Sequence, residues 1–300
     1  MPELPEAETV RRGLAEILAG TKIEGLEVFH PRTARYQNGG SAQLTQQLSG
    51  AHLDAVVRRG KFMWTLTSNG QALMMHLGMS GQFRPLAKQA GEAPVRHERA
   101  RLYLSGGPAQ SLSFIDQRTF GALYLSPTAN TEDGAPAGCG SDSLLLPAGA
   151  SHIARDLLDP HLDLVKVNQR IRKSKSPIKN VLLNQSIISG FGNIYADEAL
   201  FVAGVHGARS ASTLTRQQVA QILQAGIEIM ERSLSRGGTS FDQLYVDVNG
   251  SAGTFADELL VYGRAGQACR ECGHELSSIS LNKRSHVYCA NCQRPSRNLK

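Results

Sequence analysis

Apolar residues at Val10, Leu14, Ile17 and Leu18 recur three and four positions apart, with Arg11, Arg12 and Glu16 on the other faces. That spacing predicts an amphipathic helix that starts at Pro5 and stops at Gly20. From Lys22 to Leu125 the period shortens. Apolar, β-branched runs at 23–29, 53–58, 62–67, 72–76, 101–104, 112–115 and 122–125 are broken by turn sequences such as Ser68-Asn69-Gly70 and Ser105-Gly106-Gly107-Pro108. Short strands at this spacing predict a sandwich or barrel. Within 62–67 the two-residue period places Phe62, Trp64 and Leu66 on the core face, and Lys61 with Met63 on the opposite one.

Residues 126–150 are rich in Ser, Ala, Gly and Pro and read as a loop, with Cys139 a bystander thiol. Near 151 the pattern turns helical, which sets a domain boundary. Residues 157–165 are expected to form the first helix of the second domain or its approach. A helix is expected to open in the basic run 170–179 and reach about Gln185. Another should begin near Asn193, after Ser189-Gly190-Phe191-Gly192. Thr215 and Gln218 have capping-box spacing, with Leu214 and Val219 as a hydrophobic staple. Val219, Ile222, Leu223, Ile227 and Met230 then form the buried stripe of a long helix that ends at Gly237-Gly238. Two strands, 276–281 and 286–288, are joined through Asn282-Lys283-Arg284. The fold class is α+β. The expected division is a β-rich domain at 1–150, a helical domain at 151–262 and a small C-terminal module at 263–300.

Charge and cysteine content add function to this outline. The chain of 300 residues carries a net charge of +6 and a pI near 9.2, which suits a polyanionic partner. Arg170, Arg172, Lys173, Lys175 and Lys179 fall within ten positions, and the glycines before Asn193 would let backbone N–H groups approach phosphate. No apolar run is long enough to span a bilayer, and the acidic N-terminus is unlike a secretory signal. No membrane partner and a cytoplasmic setting are expected. Cys269-x2-Cys272 and Cys289-x2-Cys292, sixteen residues apart, have the spacing of a closed four-thiolate site for one structural Zn2+. At the other end, removal of Met1 would leave Pro2 as a secondary amine with a pKa of about 7.7–8.0. Such an amine can form an iminium with a carbon at the aldehyde oxidation level. Glu3 stands beside it as a proton donor or acceptor, and Glu6 is a second carboxylate nearby.

Pro2-Glu3-Leu4-Pro5-Glu6-Ala7-Glu8-Thr9-Val10 resembles the start of the formamidopyrimidine-DNA glycosylases, and matching segments recur along nearly the whole chain, most weakly at 126–160. The related endonuclease VIII branch usually has Gly where this chain has Leu4. The resemblance implies an N-terminal β-sandwich with flanking helices and a C-terminal helical domain with a helix–two-turn–helix and a zinc ribbon. It implies a monomeric, bifunctional glycosylase and abasic-site lyase acting on double-stranded DNA that contains oxidised bases or abasic sites. The duplex would lie in a basic cleft between domains, associating the enzyme with the nucleoid. The chemistry would need no metal or organic cofactor.

By the same resemblance, Pro2 is the nucleophile and Glu3 its acid–base partner, with Lys61 and Arg284 handling protons and phosphate in the later steps. Met79, Arg118 and Phe120 fill the space left by an extruded nucleotide. His97, Lys175 and Asn193 contact the DNA backbone, with Lys179 a further candidate. Residues 239–259 match the family's mobile segment near the extruded base. Thr119 replaces an Arg common in the family, and Gly207 a common Pro, where a local loop difference is expected. Two rival readings remain: the same chemistry on oxidised pyrimidines, as in endonuclease VIII, and a non-catalytic zinc-containing DNA-binding protein.

Overall fold

A computed structural model describes residues 2–239 and 247–294, so the segment expected at 239–259 lies partly outside the described residues. The chain divides into two compact units. One is Met1–His152 with Arg236–Thr254, and the other is Ile153–Ser235 with Phe255–Lys300.

The first unit opens with α1 (Leu4–Leu18), the helix read from the apolar stripe. It is followed by β1 (Lys22–Val28), α2 (Gly40–Leu48), β2 (Leu53–Arg59), β3 (Phe62–Thr67), β4 (Gln71–His76), β5 (Gly81–Arg84), β6 (Glu98–Ser105), β7 (Ser111–Asp116), β8 (Ala122–Asn130) and β9 (Leu145–Pro147). These strands form two antiparallel sheets, ordered β1-β6-β7-β5 and β2-β3-β4-β8-β9. Ile23, Leu73, Met75, Phe83, Leu102, Phe114 and Leu123 fill the core with Val10, Leu14 and Leu18 of α1. α2 was not foreseen: it is short, contributes only Leu44 and Leu48 to the core, and starts at two left-handed glycines.

Two expectations in this unit are corrected. Met63 is not on an outer face. It is buried in the main core, while Trp64 and Leu66 pack on the other side of the sheet with Val57, Ala72, Met74, Ala137 and Ala150. Alternation does not identify a solvent face when both faces are covered. The cover comes from 126–150, so that segment is no plain loop. β8 continues to Asn130 and pairs with β9 through Thr128↔Pro147, Ala129↔Leu146 and Asn130↔Leu145. Turn-forming residues mask so short a ladder in the sequence.

The second unit contains α3 (Leu164–Arg172), α4 (Ile178–Leu182), α5 (Asn193–Val202), α6 (Arg216–Ser235), β10 (Leu276–Leu281) and β11 (Arg284–Cys289). The basic run does not open one helix. Arg170 and Arg172 end α3, and Pro177 is the N-cap of a separate α4 that stops at Leu182, short of Gln185. Proline supplies no N–H and keeps the residue before it out of the α region, so the helix cannot run through. The capping box at α6 is formed: Thr215 N–H donates to Gln218 Oε1 and Gln218 N–H to Thr215 Oγ1, both at 3.1 Å. In the buried stripe Ile227 is only half-buried and Ile229 takes its place. Asn282 and Lys283, at φ 48° and 62°, make the two-residue turn between β10 and β11. Arg284 is therefore the first residue of the return strand, opposite Leu281.

A buried ionic hub ties β11 to the helices. Asp197 on α5 pairs with Lys179 Nζ at 2.7 Å and His286 Nδ1 at 2.6 Å, and accepts from Val287 N–H at 3.1 Å. Gly207 N–H donates to His286 Nε2 at 3.0 Å, which leaves the ring proton on Nδ1 for Asp197. A proline at 207 would lack that donor. Asp197, Lys179 and His286 are all 0% exposed, and stripping a buried charge of its partner costs about 3–5 kcal/mol. Asp197→Ala should lower the stability of this unit by that amount in denaturant unfolding with zinc present. A loss of less than about 1 kcal/mol, the worth of a surface pair, would contradict the assignment.

Candidate active site

The N-terminus is held in place by capping. Glu3 is the N-cap of α1 and forms a capping box with Glu6, with Pro5 in the first turn. Both Glu6 oxygens hold backbone: Oε2 accepts from Glu3 N–H at 2.9 Å and Oε1 from Thr239 N–H at 2.8 Å. This second bond brings the chain after α6 back onto the start of α1, a return that no local pattern signals. Gly238, at φ +90°, lies where a Cβ would stand 3.2 Å from the Glu6 side chain, and a Cβ on Gly13 of α1 would run into Val248. Pro2 and Glu3 are both buried. Pro2 lines a small cavity with Glu6, Thr9, Leu77, Gly237 and Asp247. Asp247 is an addition from the structure: its sequence signal was only membership of a polar, glycine-containing stretch. Among the expected partners of Pro2, then, Glu6 is engaged in holding backbone.

Lys61 follows Gly60 in the β2–β3 turn and is buried at 9% exposure, not solvated. The preceding residue pair is also buried. Arg58 Nη1 donates to Gly60 C=O at 2.8 Å and Arg58 Nε to Glu8 Oε2 at 2.9 Å. Burial alone would raise the Glu8 carboxyl, but hydrogen bonds and charges from Arg11 and Arg58 outweigh it and hold the pKa at about 2. Because this folded-state value lies below the ordinary one near 4.3, the stability it confers is complete above about pH 5 and is lost as pH falls toward 2.

The loops after β4 and β7 carry the three wedge candidates. Asp116, fully buried, links them by accepting from Ser80 Oγ at 2.5 Å, Arg118 N–H at 3.2 Å and Gly121 N–H at 2.7 Å. Arg118 is exposed, with Nη1 3.8 Å from Met79 Sδ. Phe120 is 43% exposed, a large apolar surface at a loop tip. Arg35 fixes its backbone by donating to the carbonyls of Phe120 and Gly121. Gly78 lies so close that a Cβ would reach 2.4 Å from the Phe120 carbonyl carbon. Thr119, a β-branched residue, is held at φ 55°, a conformation costing about 1–2 kcal/mol. Asp116, Ser80 and Arg35 were not singled out in the sequence. His97 stands just before β6 at φ 65°, half-buried, and its carbonyl accepts from Asp116 N–H at 2.9 Å.

In the second unit Lys175 is exposed between α3 and α4. Asn193 begins α5 and donates from Nδ2 to Ser285 Oγ at 3.2 Å. Ser285 adjoins Arg284, so the structure brings Asn193 and the exposed Arg284 together. Lys179 is corrected: fully buried against Asp197 and bonded to the Ser285 carbonyl, it cannot meet a phosphate. The Sγ atoms of Cys269, Cys272, Cys289 and Cys292 lie within 4.8 Å of one another. A tetrahedral zinc with bonds of about 2.3 Å needs sulfurs about 3.8 Å apart, so small adjustments suffice. The His274 backbone N–H and the Asn291 side chain pull the Cys272 thiol down to about 6, while burial and the neighbouring thiols push Cys292 up. Four thiols so crowded need a cation to ionise together, and the group holds one structural zinc.

Residues 1–123 match the formamidopyrimidine-DNA glycosylase N-terminal domain, 153–244 the H2TH domain of the same glycosylases, and 266–295 the zinc finger found in FPG and IleRS. Formamidopyrimidine-DNA glycosylase of Corynebacterium jeikeium is 46% identical, covering 98% of this chain and 100% of its own. That of Mycobacterium leprae is 44% identical, covering 99% and 100%. A Lactococcus lactis FPG variant crystallised with Fapy-dG-containing DNA superposes with a TM-score of 0.81 at 28% identity, covering 98% of this chain and 100% of the other. The Lactococcus lactis enzyme with abasic-site DNA gives 0.79 at the same identity and coverage. Domain order, the Pro2-Glu3 start, the zinc finger and these full-length likenesses agree: the chain belongs to the formamidopyrimidine-DNA glycosylase family.

Proposed function

We propose that this chain is a bifunctional DNA glycosylase and abasic-site lyase that removes oxidised purines such as formamidopyrimidines and 8-oxoguanine. The observation that carries the reading is buried Pro2, lining a cavity next to Glu3, the buried N-cap of α1, in a chain that matches glycosylases from end to end. The related structures hold Fapy-dG, abasic-site and 8-oxo-G-analogue DNA, which favours purine lesions over the endonuclease VIII alternative.

In this reading the Pro2 nitrogen lone pair attacks the sugar C1′. The bond from C1′ to the base breaks and the base leaves with the electron pair and a proton. Glu3 protonates the opening sugar and takes protons back later. The iminium acidifies C2′–H. Loss of that proton expels the 3′ phosphate, and a second elimination expels the 5′ phosphate. Lys61 moves protons in these steps, and Arg284 holds phosphate. Met79, Arg118 and Phe120 occupy the vacated stack, offsetting the cost of extrusion. His97, Lys175 and Asn193 grip the backbone. Segments 1–150, 151–262 and 263–300 act respectively as catalytic, DNA-gripping and zinc-finger parts of a monomer. No described helix is long and apolar enough to cross a membrane. The relatives are bacterial, and a DNA substrate supports a cytoplasmic, nucleoid-associated site of action.

Borohydride trapping on 8-oxoguanine duplex, with the adduct mapped to Pro2, tests the reading. Retained Met1 should abolish trapping, because its amide removes the nitrogen lone pair from chemistry. Glu3→Gln should keep lesion-duplex affinity and lose about 10²–10⁴-fold in excision, the usual worth of a positioned acid–base group. Full activity of Met1-retained protein would overturn the nucleophile.

Met79→Ala, Arg118→Ala and Phe120→Ala should slow excision more than cleavage of preformed abasic sites. An abasic site has no base to unstack, so the few kcal/mol of unstacking drop out. Equal losses on both substrates would exclude the wedge role.

Zinc removal or Cys289→Ser should weaken duplex binding and cleavage together, because metal binding supplies much of the folding energy of so small a hairpin. The β-sandwich signature in circular dichroism should persist. Arg284→Ala should keep the zinc and lose affinity or the later eliminations. Undiminished binding after complete zinc removal would separate the hairpin from DNA contact.

A further inference from the structure

The segment between the first two family matches, residues 124–152, is anchored at one place that bears on the chemistry. Cys139 N–H donates to Arg58 C=O at 2.8 Å and Arg58 N–H to Cys139 C=O at 2.9 Å, so 138–140 forms a strap along β2. The strap fits only as glycines. A Cβ on Gly138 would stand 2.4 Å from Arg58 O, and one on Gly140, at φ +108°, 2.4 Å from Val56 O and 2.7 Å from Arg11 Nη1.

Beneath the strap lies a closed ionic cluster. Glu8 accepts from Arg11 Nε and Nη2 and from Arg58 Nε at 2.9 Å each, and from Arg12 Nε at 3.0 Å. The Cys139 thiol approaches Glu8 Oε1 at 3.8 Å. Arg11 reaches across to Val56 C=O at 3.2 Å, and Arg58 to Gly60 C=O at 2.8 Å. Side chains of Arg58 and Glu8 are 1% and 3% exposed. Glu8, on the helix capped by Glu3, thus bonds Arg58, and the same guanidinium bonds the residue before Lys61. None of these groups lines the Pro2 cavity.

We propose that Glu8 and Arg58 are positioning residues that set Lys61 relative to the Pro2 amine, and that the 138–140 strap seals them from water. This rests on Pro2 being the nucleophile and adds the means by which two remote elements are kept in register. A planar guanidinium bonded to both Glu8 and Gly60 suits the task because it donates in two fixed directions at once, which an ammonium cannot do. Burial under the strap removes the solvent screening that makes exposed pairs weak.

The test compares single-turnover borohydride trapping with affinity for a duplex carrying a non-reactive abasic analogue, in protein lacking Met1. Glu8→Gln and Arg58→Lys should each lose about 10²-fold in trapping rate, as expected for reacting groups displaced by roughly an ångström, with duplex affinity within twofold. Leu48→Ala, a core truncation in α2, should lower the melting temperature and keep the trapping rate within threefold. Equal trapping rates in Glu8→Gln and Leu48→Ala, or equal factors lost in trapping and affinity, would overturn the proposal. If Glu8→Gln does not fold, Gly140→Ala, which pushes the strap off Val56 and Arg11, is held to the same criterion. No adduct in the wild type would overturn the Pro2 reading itself, whereas an adduct formed equally by wild type and variants overturns only the positioning role.

Discussion

Pro2, the proposed nucleophile, lies in a chain-terminal segment, and termini fray unless tied down. The first unit answers that constraint at several levels. The capping box closes the first turn of α1, and the carboxylate of Glu6 also takes the N–H of Thr239, more than two hundred residues away. One turn further on, Glu8 locks the same helix to β2 through Arg58. Val10, Leu14 and Leu18 then sink the helix into the sandwich core. Each device is modest alone, but they act on one short rigid rod, so fixing any part of it fixes Pro2.

The second unit meets a related difficulty with different means. A zinc hairpin has too few apolar residues to stand alone, and its strand β11 opens with exposed Arg284, the residue proposed to hold phosphate. Zinc fixes one end through four thiolates. The Asp197 hub fixes the middle, bonding both the His286 ring and the Val287 backbone. Phe201 and Val261 share a small core with Leu276, Val287 and Cys289. The basic residue nearest this hub, Lys179, is used for structure, whereas Lys175 and Arg284 stay exposed. Positive charge in the sequence therefore has two fates here, and only partner geometry distinguishes them.

That distinction marks how far the sequence could be read. Features written in adjacent residues were legible: the α1 stripe, the capping box at Thr215, most strands, and the cysteine pairs. Features that depend on a distant partner were not. Glu8 finds Arg58 fifty positions away, Asp116 finds Ser80 thirty-six away, and Arg35 finds Phe120 eighty-five away. Lys61 looked solvated because alternation assumes one wet face, whereas the Met63 face is the main core and the Trp64 face is covered by 126–150, which itself looked like a loop. Pro177 was visible, but its weight as a break was lost against the continuity of positive charge.

The wedge loops show a last consequence of the same logic. Phe120 presents an apolar ring to water and Thr119 holds a left-handed backbone, and both raise the energy of the resting protein. A loop free to relax would bury the ring and release the strain. Here it cannot relax. Asp116 takes two of its N–H groups, Arg35 takes two of its carbonyls, and Gly78 lets the neighbouring loop press against it. Strain of this kind persists only where the surroundings over-determine it. The cost is carried by the folded state before any ligand arrives, so in the proposed wedge role a ring already held outward would lose little further entropy on insertion. The buried Asp116 carboxylate thus helps hold outward the ring that the proposed function places in the vacated stack.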